Sequence, residues 1–211
     1  MVNPPMPPPN SVRAIALIRA EHRALARMLA AMQALLALYR NAGGERDFGL
    51  FDAMLCYIEN VPDKLHHPKE DGVLFPPLVQ RVAAGRKLVE ELEREHVRGE
   101  PMIAGLREAF QSFRHGTPKG LDLLSAALDD YTKFYLRHMG KEELQLLPLA
   151  IAHFTTEEWQ RVEKAFGDHT DPLFGAELAD DYRRLYECIS ELTPTPIKPY
   201  LEGTASGFAG E

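Results

Sequence analysis

Cysteine is scarce in this sequence: only Cys56 and Cys188 are present among 211 residues. They are far apart and each lies in an apolar helical pattern, which excludes a Cys-x-x-Cys metal site and predicts two buried free thiols in a reducing compartment. No run approaches the ~18 apolar residues that span a membrane, and the N-terminus lacks the apolar segment of a signal peptide. We therefore expect a cytoplasmic protein without a membrane partner.

Concentrated positive charge is also missing. The 24 Lys and Arg residues are outnumbered by 31 Asp and Glu residues, which gives a formal net charge of −7, and the basic residues form no continuous stripe. Because phosphate binding requires clustered positive charge, we expect no nucleic-acid partner. The composition leaves the oligomeric state open.

Helical periodicity is what the sequence does contain. Apolar residues recur at three- and four-residue spacing in four long segments, which Gly- and Pro-containing connections separate. This pattern predicts an all-α fold, an up-and-down four-helix bundle with short additional C-terminal helices. We expect a Pro-rich mobile N-terminus at 1–10, the bundle at 11–190 and a C-terminal tail at 191–211.

Local signals predict details of these helices. Ser11 is the expected N-cap of the first helix, and Thr117-Pro118 the expected N-cap and first residue of the fourth. Pro62 and Pro68 should kink or restart the second helix, since proline lacks the backbone N–H of a helical turn. Leu144 is placed on the inward face of the fourth helix.

Histidine occurs at one place on each long helix, and two of these histidines have a carboxylate one turn later. The pairs are His66 with Glu70 and His138 with Glu142. Positions i and i+4 lie about 40° apart around a helix, so both side chains point to one side. Such a pair can hold one ion, or its carboxylate can bridge two ions held by separate histidines. The histidines of the four helices are His22, His66, His96 and His138.

The helical phase of these histidines directs them inward. His22, His96 and His138 share the apolar stripe of their helices, where a polar ring needs a partner. His66 lies within about 20° of a core position and His67 about 120° away. His66 is thus the predicted ligand, and His67 a neighbour outside the cluster or at the surface, unless Pro62 shifts the phase.

A bound metal explains the convergence of these inward histidines and carboxylates better than chance does. A single inward histidine is more often a core residue bonded to a carbonyl, but four of them with two carboxylates would leave a poorly satisfied polar core. Imidazole with carboxylate suits iron, zinc or manganese, and bundles with such interiors are a recurrent di-iron scaffold. The predicted metal ligands are His22, His66, Glu70, His96, His138 and Glu142.

Five short motifs occur in a fixed order along the chain: Glu21-His22, His66 to Asp71 with Leu74-Phe75-Pro76, Glu95-His96, His138 to Glu143 with Leu147-Pro148, and Asp171 to Gly175. With these motifs the sequence resembles the hemerythrin-like, or HHE cation-binding, family over roughly residues 11–175. The resemblance implies two iron ions, for which zinc or manganese could substitute. It places His22 and His66 on one iron, His96 and His138 on the other, and Glu70 and Glu142 between them.

One position departs from the pattern of the oxygen-carrying members of that family. They have a further histidine one turn after the ligand on the third helix, and Glu100 stands there in this chain. Glu100 can reach the ion that His96 binds, and with His67 it completes the candidate ligands. A carboxylate ligand would favour an air-oxidised resting state that holds oxygen poorly. Gly99 beside it would leave room for a small ligand.

Three functions remain open at this point. The favoured one is a module that binds or senses oxygen, nitric oxide or iron. The alternative is a di-iron oxidoreductase acting on peroxide or nitric oxide, or in the repair of iron–sulfur clusters. The third is a structural bundle that holds zinc or no metal. The members that repair clusters usually carry a Cys-bearing N-terminal segment, where this chain has a Pro-rich stretch.

Overall fold

The computed structural model describes residues 9–41, 46, 48–167 and 180–205. It is about 90% helical, with no strand in these ranges, and the predicted all-α fold class is confirmed. Within the same ranges, no helix is both long enough and apolar enough to cross a membrane. The N-terminal residues 1–8 and the motif from Asp171 to Gly175 lie outside the described residues.

The described parts of the chain form α-helices joined in places by π-helical turns. The helices are α1 (Pro9–Asn41), α2 (Phe48–Val61), α3 (His67–Lys69), α4 (Phe75–Arg81), α5 (Ala83–Arg114), α6 (Gly120–Lys141), α7 (Leu147–His153), α8 (Thr156–Gly167), α9 (Asp180–Leu192) and α10 (Lys198–Glu202). The π-helical turns are Pro62–His66, Glu70–Leu74 and Glu142–Leu146.

These π-helical turns make residues 48–81 and 120–153 two continuous helical rods. Where the prolines predict a kink or a restart, the helix instead continues with wider turns. In each of them an N–H bonds the carbonyl five residues earlier, as the His67 N–H bonds the Pro62 carbonyl. A turn that takes up one extra residue rotates every following side chain relative to a regular helix. The π-turns therefore decide which residues of the two rods face inward.

Four local expectations are wrong. Helix α1 begins at Pro9, so Ser11 lies buried inside it and is not the N-cap. Helix α6 begins at Gly120 after Lys119, whose backbone is left-handed, so Thr117-Pro118 lies in the preceding turn. Leu144 is exposed because the π-turn in which it lies rotates it outward. The cysteines are free thiols, but neither is buried and one is exposed.

The core of the bundle is divided into two hydrophobic clusters with a polar layer between them. Helix α5 packs on α6, and α1 contacts α2, α6, α8 and α10. One cluster contains Leu25 and Ile103, the other Ile18 and Leu92. Along α1 and α5, the inward histidines lie between these pairs of residues. The layer that carries the histidines thus crosses the bundle between two apolar regions.

Candidate metal centre

The six predicted ligands converge in this polar layer and are buried. His22, His66, Glu70 and Glu142 form one group of four donors, whose ligand atoms lie within 4.8 Å of one another. The expected pairing of His22 with His66 is present, and their Nε2 atoms lie 3.1 Å apart. This group has the size and chemistry to hold one metal ion.

A second group of donors lies beside the first and shares a carboxylate with it. It consists of His67, Glu70, His96 and His138, and its ligand atoms obey the same 4.8 Å limit. His96 and His138, expected on one ion, are therefore together. Two adjacent groups with a common carboxylate form a dinuclear arrangement of donors.

Both carboxylates reach towards both groups. Glu70 has Oε1 3.3 Å from Nε2 of His66 and Oε2 3.5 Å from Nε2 of His96. Glu142 has Oε2 3.2 Å from Nε2 of His22 and Oε1 3.0 Å from Nε2 of His138. Each carboxylate thus turns one oxygen to each group, which is the geometry that a bridge between two ions requires.

His67 faces the polar layer, contrary to the prediction from helical phase. It was expected outside the cluster, yet its ring is 5% exposed and stacks on His96 with the centroids 4.0 Å apart. In a regular helix His66 and His67 would diverge by about 100°. The π-turn Pro62–His66 ends directly before His67, and both histidines face the layer. Pro62 was the only signal in the sequence that could have warned of this.

Glu100 is also placed differently from the expectation. It is exposed and belongs to neither group of donors among the described residues. It lines an outer cleft of about 330 Å³ whose inner wall includes the stacked rings of His67 and His96. His67 covers His96 there, so the fifth imidazole comes from the helical rod of residues 48–81. Because Glu100 is not among the donors, it gives the centre no carboxylate that would favour an oxidised resting state.

The space beside Gly99 is filled as well. A Cβ atom at this position would lie 2.6 Å from the hydroxyl oxygen of Tyr135. Gly99 therefore admits a tyrosine side chain and leaves no room there for a small ligand, contrary to the expectation.

A ring of carboxylates outside the two groups orients the imidazoles. Nδ1 of His66 lies 2.6 Å from Glu21, and Nδ1 of His138 lies 3.1 Å from Glu95. Such bonds to Nδ1 leave Nε2 as the metal-binding nitrogen. In the same way, Nδ1 of His22 lies 2.9 Å from Oε1 of Glu143, and Nδ1 of His96 lies 3.0 Å from Oδ1 of Asp71.

These four outer carboxylates were not among the predicted site residues. Their positions next to predicted ligands in the sequence could have identified them. Glu21 and Glu95 directly precede a ligand histidine, and Asp71 and Glu143 directly follow a shared carboxylate. Each one nevertheless serves a histidine on a different helical segment. The sequence motifs therefore contain the outer carboxylates, but only the packing of the helical segments shows which histidine each carboxylate contacts.

Comparison with known families agrees with this donor set. The hemerythrin HHE cation-binding domain matches residues 13–150, more than half of the chain. The chain belongs to this family. Nothing among curated proteins or solved structures matches the chain. All the inward histidines and both shared carboxylates of this HHE domain lie within the matched range.

The unsatisfied atoms of the HHE domain test whether a metal fits. Both carboxylate oxygens of Glu70 and Glu142, with Nε2 of His96 and of His138, are buried without a hydrogen-bond partner. Buried polar atoms left unpaired are costly. Their lone pairs are directed into the same layer, so cations bound there would satisfy them together. The residues present therefore fit the cation that the family binds.

Burial and the neighbouring carboxylates shift the pKa values of the histidines in the layer in opposite directions. Burial by itself lowers the pKa of His66, but Glu70 and Glu21 raise it to about 10. Burial likewise opposes protonation of His96, whose pKa the contact with Asp71 and the shared carboxylates raise to about 11. Metal binding requires unprotonated Nε2, so cations must displace protons from these rings.

A small cavity adjoins the two groups, with His67 and His138 also in its wall. It has a volume of about 20 Å³ and lies beside His22 and His66. Tyr57, Tyr135 and Met139 contribute to its wall. Roughly 10–15 Å³ suffices for one water molecule, so the cavity admits a molecule of two or three atoms.

Proposed function

We propose that the protein binds two iron ions and uses them to bind a small ligand, oxygen or nitric oxide. The observation that carries this proposal is the pair of donor groups joined by Glu70 and Glu142, with a small cavity beside His22 and His66 that also borders His67 and His138. His22 and His66 would hold one ion. His67, His96 and His138 would hold the other.

The number of donors favours iron over zinc. Structural zinc sites are four-coordinate and usually contain cysteine, whereas no cysteine is among the donors of either group. Three imidazoles with one oxygen from each shared carboxylate give five donors on the His67 side, more than a tetrahedral ion accepts. Imidazole and carboxylate in a higher coordination number suit iron, with manganese as a substitute.

The number of donors also supports an open coordination position on the ion that His22 and His66 would hold. This ion would have two imidazoles and one oxygen from each carboxylate, one donor fewer than its neighbour, and the cavity lies beside it. Bound iron would supply a site at which a small molecule coordinates directly. Since His67 contributes a neutral imidazole where a Glu100 carboxylate was expected, reversible oxygen binding is compatible with the donor set.

Metal analysis combined with ligand titration tests this proposal. Protein purified without added metal should contain two iron ions per chain, and the oxidised form should give new absorption bands when azide is added. The ferrous form should bind nitric oxide or oxygen. Zinc as the only metal, or one iron ion per chain with no response to azide, would contradict the proposal.

The wall of the cavity supports a second candidate, reduction of peroxide or nitric oxide. Such reductions consume protons, and Tyr57 and Tyr135 bring phenol groups to the wall of the cavity. Turnover assays with peroxide and with nitric oxide, in the presence of an electron donor, separate this candidate from a binding module. Binding spectra without turnover favour the module.

A further inference from the structure

The two halves of the centre repeat one another almost residue for residue. His66, Lys69 and Glu70 are followed by Asp71, and His138, Lys141 and Glu142 by Glu143, at identical spacing. Both shared carboxylates begin a π-turn, Glu70–Leu74 and Glu142–Leu146.

The contacts repeat as well as the spacing. Glu21 accepts hydrogen bonds from His66 and Lys69. Glu95 contacts His138 and Lys141 in the same way. The repeat in sequence is therefore also an approximate repeat in space.

One inward position breaks the repeat. The residue after the histidine is His67 in the first half and Met139 in the second. Both side chains are buried, with exposed fractions of 5% and 6%. His67 joins the donors that include His96 and His138, whereas Met139 brings a thioether to the wall of the small cavity, beside His22 and His66. His67 and His138 line other parts of the same cavity. Met139 thus stands where the repeat would place a sixth imidazole.

We propose that Met139 determines the ligand specificity of the centre by keeping this coordination position open. A thioether is a soft, weak donor that does not compete well for iron among imidazoles and carboxylates. Its flexible side chain lines the cavity without filling it. A histidine at the same position would close the site as His67 does on the other side. This inference rests on the proposed function.

The test compares Met139→His with Met139→Leu, both loaded with iron. The histidine variant should retain two ions per chain and lose them to a chelator more slowly than the unmodified protein. Its affinity for azide should fall by at least about 100-fold, more than the loss of an orienting contact usually costs. The leucine variant removes the sulfur, keeps the position open, and should bind azide within a few-fold of the unmodified protein.

A second variant decides the matter if the histidine variant does not fold. Met139→Ala enlarges the cavity, so free imidazole should enter it and compete with azide, acting as the absent sixth ring. Imidazole should not compete in the unmodified protein or in Met139→Leu. Competition in none of the variants, or equally in all three proteins, would overturn the inference.

The two proposals fail in different ways. If the unmodified protein holds two iron ions and binds azide, but Met139→His binds azide with the same affinity and keeps its metal, the role of Met139 is wrong and the proposed function stands. If the unmodified protein does not bind azide at all, both are wrong.

Discussion

The two halves of the centre differ in one ligand although their surroundings match. In both halves a glutamate contacts a ligand histidine and a lysine, as Glu21 does with His66 and Lys69. Only the first half has a π-turn, Pro62–His66, that ends at its histidine, and only there is the next residue a second histidine. The comparison fits a centre whose shared parts hold metal, and on our proposal the difference between His67 and Met139 sets where a ligand can bind.

Removal of the metal should have the largest effect, because both halves then lose their ions together. A ligand present at about 1,000 times its Kd stabilises the native state by about 4 kcal/mol. We expect the free energy of unfolding to fall by at least that amount in the presence of a strong chelator. Denaturant titrations with and without the chelator measure this. Identical midpoints would show that the layer holds no ion in solution.

Loss of one ligand histidine should be the next largest effect, and it should be the same in the two halves. His66→Ala and His138→Ala each remove one donor from equivalent positions, so we expect metal affinity to fall by more than about 100-fold in both. His115→Ala is the control, since this residue is exposed beyond the end of α5. Chelator competition measures the affinities. A large difference between the two variants would break the equivalence of the halves.

Loss of an orienting carboxylate should cost less. Glu21→Gln and Glu95→Gln should each lower metal affinity by about 10- to 100-fold. The first should have the greater effect, because the Glu21 side chain is 11% exposed and that of Glu95 is 20% exposed. The same competition assay checks the order. A greater loss in Glu95→Gln would mean that burial does not set the strength of these contacts.

The smallest effect should come from the two lysines. Lys141 is partly exposed and also contacts the exposed Glu91, so Lys141→Met should lower the free energy of unfolding by about 1 kcal/mol or less. Lys69 is buried against Glu21 and lies over the ring of Phe166, so its replacement by Met should cost more. Thermal unfolding of the two variants compares them, and equal losses would contradict this ranking.

The sequence was sufficient to predict the helical bundle and the inward direction of most of the candidate donors. Apolar residues repeat regularly in the long segments, so the inward direction of His22, His96 and His138 followed from counting about 100° per residue. All three are buried in the polar layer. These three histidines lie in regular α-helices, where the rotation of about 100° per residue applies.

The same count failed where the helix is not regular. His67 follows one π-turn and Leu144 lies within another, and both were assigned to the wrong side. A π-turn depends on how the rod packs against its neighbours, which a periodicity count does not contain. The pairing of Glu95 with His138 was missed for a related reason, because the two residues meet only when α5 and α6 pack together.

The polar layer has a simple charge balance. Six carboxylates and two ammonium groups belong to it, and with neutral imidazoles they leave four negative charges, which two divalent ions cancel. At its edge, Arg19 and Glu91 carry opposite charges and do not alter the sum. Without metal, protons on the imidazoles replace part of the missing charge, which is why their pKa values rise. If the two ions are iron, as we propose, oxidation of either would leave a positive charge in excess, so we expect a change of oxidation state to be coupled to the uptake of an anion.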